Sequence, residues 1–208
     1  MKLTKLGHAC VRLTRDGGTL VVDPGTFSEA NAVDGADAVL ITHEHFDHVS
    51  PEQLAGRKVD IYTGASVAAQ LTDVTGTVHI VGEGDSFTAA GFDVVVYGRR
   101  HAVIHPDIPV IENTGFLIGG SVFHPGDSFT VPGVPVQTLL SPVYAPWLKI
   151  SEAVDHMRAV NPARVFPIHD GLLNDAGHAL VDRLMGGFAE HGGIEYRRTE
   201  PGETVNLG

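Results

Sequence analysis

The sequence predicts an α+β fold of two sheets with helices packed outside them. Two observations carry that prediction. The first half reads as a run of short strands, and the better helical stretches lie between and after them, in the second half. Taken in order, Leu3–Leu6, Ala9–Thr14 and Thr19–Val22 are expected strands, separated by turns at Gly7-His8 and Asp16-Gly17-Gly18. Ala38–Ile41 is a continuous apolar run, the pattern of a strand buried on both faces. Lys58–Tyr62 and Val78–Val81 continue the series, with a short helix expected near Ala65–Leu71. Phe92–Tyr97, Phe116–Ile118 and Val122–Phe123 follow as strands.

In the second half, Ser151 is the expected N-cap of a helix over Glu152–Val160, which Asn161-Pro162 stops. Arg164–Ile168 reads as another buried strand. A helix capped by Asn174 or Asp175 is expected to run to the neighbourhood of Ala189. Leu180, Leu184 and Phe188 lie four apart and form its expected apolar face, and Gly192-Gly193 ends it.

Composition narrows the function. With 208 residues, 43% of them hydrophobic, the chain can build a sizeable core. No repeat, low-complexity segment or linker interrupts it, so residues 1–208 are expected to form one domain. No apolar stretch reaches the roughly 18 residues that a membrane span needs, and Met1 to Gly7 lacks a signal-peptide pattern. Cys10 is the only cysteine, which fits a reducing compartment. The expectation is a soluble cytoplasmic protein without a membrane partner. The net charge of −11, with basic clusters no longer than Arg99-Arg100 and Arg197-Arg198, argues against a nucleic-acid partner. Twelve histidines nearly match the 14 lysines and arginines, which directs attention to imidazole metal sites.

His43-Glu44-His45-Phe46-Asp47-His48 is the informative segment. It follows a predicted strand, and residues two apart in extended backbone point the same way, so His43 and His45 can grip one ion. If the chain then turns toward a helix near Ser50-Pro51, Asp47 and His48 can swing to a second ion. At this chain's own frequencies, three histidines and an aspartate at those spacings are expected about 0.003 times per chain. Imidazole and carboxylate together suit zinc, manganese or iron better than calcium or magnesium.

His-x-His-x-Asp-His after a buried strand resembles the signature of the metallo-β-lactamase superfamily. Further fragments stand in that superfamily's order: Val21-Val22-Asp23-Pro24, a histidine after the strand ending at Tyr97, Phe123-His124-Pro125-Gly126-Asp127-Ser128, and Pro167-Ile168-His169-Asp170-Gly171. The opening Leu6-Gly7-His8-Ala9 is similar to the small branch that includes ascorbate 6-phosphate lactonase.

The resemblance implies a four-layer αββα sandwich with two divalent metal ions at the sheet edge, zinc or manganese first and iron as the alternative. It implies that His43, His45 and a third histidine hold one metal, that Asp47, His48 and His169 hold the other, and that Asp127 bridges them. His101 and His105 both compete for the third position, and His101 is preferred because it lies closer to the strand end. The implied chemistry is hydrolysis by a metal-bridged hydroxide, the metals lying roughly 3.5–4 Å apart, with Asp47 and Asp127 as the catalytic carboxylates. The expected substrate is a small polar metabolite, a lactone or phosphate ester. An iron-dependent oxidoreductase and a non-catalytic metal-binding module are the alternatives.

Other residues stay open on sequence alone. His8, Asp23 and His124 read equally as partners that orient a ligand imidazole and as satisfied polar groups of turns or core. His79, His156, His178 and His191 read as surface residues, and Glu44 is expected to point away from the metals. Ser141–Leu148 holds the only tryptophan, Trp147. It reads either as a stiff pocket wall or, slightly preferred, as core packing.

Overall fold

The computed structural model describes residues 1–208 and has two seven-stranded sheets. The chain begins with strands β1 (Lys2–Lys5), β2 (Val11–Arg15), β3 (Gly18–Val22) and β4 (Ala38–Ile41). A single helical turn α1 (Pro51–Leu54), strand β5 (Asp60–Thr63), a second turn α2 (Ala65–Ala68) and strand β6 (Val78–Ile80) follow. Next come β7 (Ser86–Ala89), β8 (Phe92–Tyr97), β9 (Gly115–Ile118), β10 (Val122–His124) and β11 (Thr138–Pro142). Helix α3 (Ile150–Val160), β12 (Arg164–Ile168), helix α4 (Asp175–His191), β13 (Glu195–Tyr196) and β14 (Thr204–Asn206) complete it.

The first sheet has the order β14-β1-β2-β3-β4-β5-β6 and the second β13-β12-β11-β10-β9-β8-β7. Each has the same internal plan. Three antiparallel pairings (β14–β1–β2–β3; β7–β8–β9–β10) give way to three parallel ones (β3–β4–β5–β6; β10–β11–β12–β13). Parallel strands all end on one edge of their sheet, so the loops after β3, β4, β10 and β12 gather where ligand sites form in such sheets. These loops carry Asp23, the histidine cluster, Asp127 and His169.

Three apolar layers hold the sheets and helices together. One, between the sheets, includes Leu13, Leu20 and Leu40 from the first and Phe92, Phe116 and Phe166 from the second. A second seats α3 and α4 on the second sheet through Met157, Val181 and Met185. The third joins Val39 and Ile41 to Leu54, Val67 and Leu71 outside the first sheet. Strand β4 divides its side chains between two of these layers, Ala38 and Leu40 inward and Val39 and Ile41 outward. That explains its unbroken apolar run, and the result is the expected four-layer αββα sandwich.

The structure corrects several details. Strands β7, β11, β13 and β14 were not expected: β13 and β14 are two and three residues long, and β11 ends in a proline. Helix α3 starts at Ile150, a residue before the expected cap, with the Lys149 N–H donating to the Glu152 carboxylate. Helix α4 buries Val181, Met185 and Ala189, not the neighbouring stripe of Leu180, Leu184 and Phe188. Leu180 and Phe188 are exposed, and Phe188 lies beneath the Arg158 guanidinium. Both stripes repeat every four residues, so spacing could not choose between them. His156 is buried rather than on the surface, with its ring bonded to the Thr130 carbonyl.

Candidate metal centre

The site rests on strained backbone. Six non-glycine residues have positive φ, and three of them, His8 (45°), Asp23 (51°) and His169 (58°), are at this site. Left-handed conformation costs an L-residue roughly 1–2 kcal/mol and persists where surrounding structure over-determines it. Gly126, at φ 63°, precedes Asp127 in a turn where a Cβ would lie 2.3 Å from Asn113 Oδ1. Glycine is therefore required there. Asn113 fixes the same turn, accepting from the Asp127 N–H (3.0 Å) and donating to the Pro125 carbonyl (2.9 Å).

The structure brings the seven residues singled out by sequence into two adjoining groups. His43, His45, His101 and Asp127 form one, and Asp47, His48, His169 and His8 the other; within each, the possible ligand atoms lie within 4.8 Å of one another. Asp127 reaches across both: its Oδ1 lies 3.0 Å from His48 Nε2, and its Oδ2 lies 3.0 Å from His169 Nε2 and 3.3 Å from His101 Nε2. His101 is buried within the group, whereas the His105 ring is exposed beside Asp107. Glu44 faces outward to Gln70.

Most of these imidazoles are oriented from behind. Asp23 is fully buried and takes the His48 Nδ1–H (2.7 Å), the Thr42 N–H (2.7 Å) and the Thr42 hydroxyl (2.7 Å). With its proton committed to Asp23, the Thr42 oxygen accepts from His43 Nδ1 (3.0 Å). His169 and His101 donate Nδ1–H to the carbonyls of Tyr144 and Ala102 (2.5 Å each). Fixing the proton on Nδ1 leaves Nε2 to face the centre. His8 is wired the opposite way. Its Nδ1 accepts from the Gly171 N–H (3.1 Å), so Nε2 carries the proton and donates to Asp47 Oδ2 (3.1 Å). His8 therefore braces Asp47. His124 braces a turn, donating to the Ala9 carbonyl (3.0 Å) and accepting from the Gly126 N–H (3.2 Å).

The electrostatics are those of a cation site. Burial favours the neutral form of Asp127, yet the His48 and His169 imidazoles outweigh it and hold the carboxyl well below the usual range. Burial likewise favours neutral His169, but Asp127 and Asp47 raise it to about 9. His48 is raised well above its ordinary value against its own burial by Asp127 and Asp23. Burial and the neighbouring His48 push His43 down. Buried His48 Nε2, His101 Nε2, His169 Nε2 and Asp127 Oδ1 lie close together, but none is aligned for a hydrogen bond. Orphaned buried polar atoms are costly, and imidazole nitrogens with carboxylates are the donor set that zinc, manganese and iron accept. The residues present thus fit a pair of divalent ions.

Trp147 combines the two roles that its sequence context left open. It is buried, but against this site: its indole N–H donates to Asp127 Oδ2 (3.0 Å), and its ring lies edge-on to His101. Its separation of 20 residues from Asp127 hid the contact. The centre opens into a cavity of about 220 Å³ that Trp147 helps to wall. Size does not select this site, since a hollow of about 410 Å³ beside Arg15 and Asp37 contains none of the cluster.

Sandwich and histidine cluster together define a metallo-β-lactamase-type chain, and comparison with known proteins agrees. Residues 2–169 match the family described as Beta-lactamase superfamily domain, and the chain belongs to it. Protein Rv0786c of Mycobacterium tuberculosis is 43% identical over 184 residues, covering 83% of this chain and 85% of its own. A protein of Rubrobacter xylanophilus described as a UPF0173 metal-dependent hydrolase is 28% identical, covering 82% of this chain and 81% of its own. Among solved structures, Igni18, a metallo hydrolase from Ignicoccus hospitalis, superposes with a TM-score of 0.76 at 22% identity, over 98% of this chain and 97% of that one. The narrower likeness to the lactonase branch rests on the sequence motif alone.

Proposed function

We propose that this protein is a binuclear metal-dependent hydrolase acting on a small-molecule substrate. The observation that carries the reading is Asp127, whose two carboxylate oxygens face His48 on one side and His101 and His169 on the other. In this reading His43, His45 and His101 hold one ion, Asp47, His48 and His169 hold the second, and Asp127 bridges them. Zinc or manganese fits the donors best, with iron as the alternative. When bound, the ions supply a water acidified toward neutral pH and positive charge for the oxyanion that develops on the substrate.

The chain's own residues supply position and proton control. Asp23 and Thr42 hold His48 and His43, and His8 holds Asp47 with one oxygen engaged. Asp47 lines the cavity, which supports the reading of it as the carboxylate that takes the proton from an attacking water. Its carboxyl lies well below the usual range: burial opposes this, but His169 and His8 prevail. The site draws on loops from both sheets, which supports residues 1–208 working as one unit. No Lys or Arg lines the cavity, so beyond the ions the wall has no cationic partner for a phosphate group, and of the two expected substrate classes we favour a lactone over a phosphate ester. In lactone hydrolysis, water adds to the carbonyl carbon, the ring C–O bond breaks, and the leaving oxygen takes up the proton.

The test is a pH-stat assay of lactone opening by metal-loaded protein alongside Asp127→Asn. Turnover by the parent and a fall of at least about 100-fold in the variant are expected, the size seen when a transition-state contact is lost. Equal rates in the two would overturn the assignment.

A further inference from the structure

The cavity that opens onto the metal centre is lined by two kinds of residue. The polar ones, His45, Asp47, Asp127 and His169, all belong to the proposed ligand set. The rest of the wall is Phe27, Phe46, Ile104, Pro146, Trp147 and Leu172. Beyond the ligand set the wall therefore offers no charged side chain, and the Trp147 N–H is already spent on Asp127. Phe46 is 63% exposed, Leu172 56% and Phe27 38%, with Phe27 and Phe46 edge-to-face at 5.6 Å. Apolar side chains held in water around a catalytic centre, on three separate loops, mark a surface that a ligand covers.

We propose, building on the hydrolase reading, that the substrate is an uncharged carbonyl compound carrying an apolar substituent, which packs against Phe27, Phe46 and Leu172 while its carbonyl meets the centre. This replaces the polar metabolite expected from sequence. A polyhydroxylated or phosphorylated substrate would bury its hydroxyls or charge against side chains that cannot pair with them, and unpaired polar groups are strongly rejected. At about 220 Å³ the cavity is smaller than the pockets of drug-sized ligands, which reach about 300–1,000 Å³. The substituent is therefore a short alkyl or single-ring group.

The proposal is tested by calorimetric binding of n-alkyl hydroxamates of increasing length to the metal-loaded protein. The head group chelates the metal, so only the tail varies and no turnover is needed. Affinity is expected to rise about fourfold per methylene until the cavity is filled, and a terminal carboxylate is expected to abolish the gain. Phe46→Ala and Leu172→Ser should flatten the rise, while Ile80→Ala, an exposed residue of β6, should not. Affinity independent of length, or tightest binding by the carboxylate-ended tail, would overturn the proposal. Alkyl-substituted lactones are assayed in parallel. A length-dependent rise in hydroxamate affinity without lactone turnover supports the apolar wall and sinks the lactone reading, whereas no hydroxamate binding at all sinks both.

Discussion

At the scale of single residues, proton placement organises this centre. Asp23, Thr42 and two backbone carbonyls fix Nδ1 protons on His48, His43, His169 and His101, while the Gly171 N–H forces the opposite tautomer on His8. His8 belongs to the second group by distance, but with its proton on Nε2 it acts on Asp47, not on a metal. Loss of such a supporting bond typically costs 10–100-fold in metal affinity. His8→Ala is expected to weaken one of two metal equivalents by about that factor and spare the other, as read by competition with a chromophoric chelator. Unchanged affinity for both would show that His8 is only a packing residue. A pH dependence follows as well. His169 is raised to about 9 in the metal-free protein, so below that pH a metal must displace its proton. The sign is fixed: apparent affinity rises with pH, by about tenfold per unit for that proton up to about pH 9, and the raised His48 on the same ion adds to the slope. Metal titrations across that range check it.

At the scale of elements, α4 separates what spacing reveals from what packing decides. Val181, Met185 and Ala189 face the second sheet, while Leu180 and Phe188 remain exposed. Met185→Ala is expected to lower the unfolding free energy by about 2–5 kcal/mol, and Leu180→Ala by less than about 1, both from urea melts. Similar losses at the two positions would contradict the burial pattern. The elements that were legible in the sequence are those whose signal is local. Ala38–Ile41 is apolar throughout because it feeds two cores, and His43–His48 carries its spacing within six consecutive residues. The elements and contacts that were not legible depend on partners far along the chain. β14 owes its existence to pairing with β1, Trp147 meets Asp127 across 20 residues, and His8 meets Gly171 across 163.

At the scale of the whole molecule, the two sheets repeat one plan, and the centre forms where the parallel strand ends of both face each other. Metal bound there ties together loops from the two halves, so binding should count toward global stability. A metal at about 100 times its dissociation constant adds roughly 2.7 kcal/mol, which for a chain of this length is about 5–10 °C in melting temperature. Chelation followed by a thermal scan is expected to show that drop, and re-addition of metal to reverse it. Coincident melts with and without metal would mean that the centre does not couple the sheets.

In the proposed centre two divalent ions share Asp127, and elemental analysis of protein purified without chelator counts them. Two equivalents of zinc or manganese per chain are expected, falling below two when Asp127 is replaced by alanine. A protein that takes up one equivalent or none after reloading would contradict it.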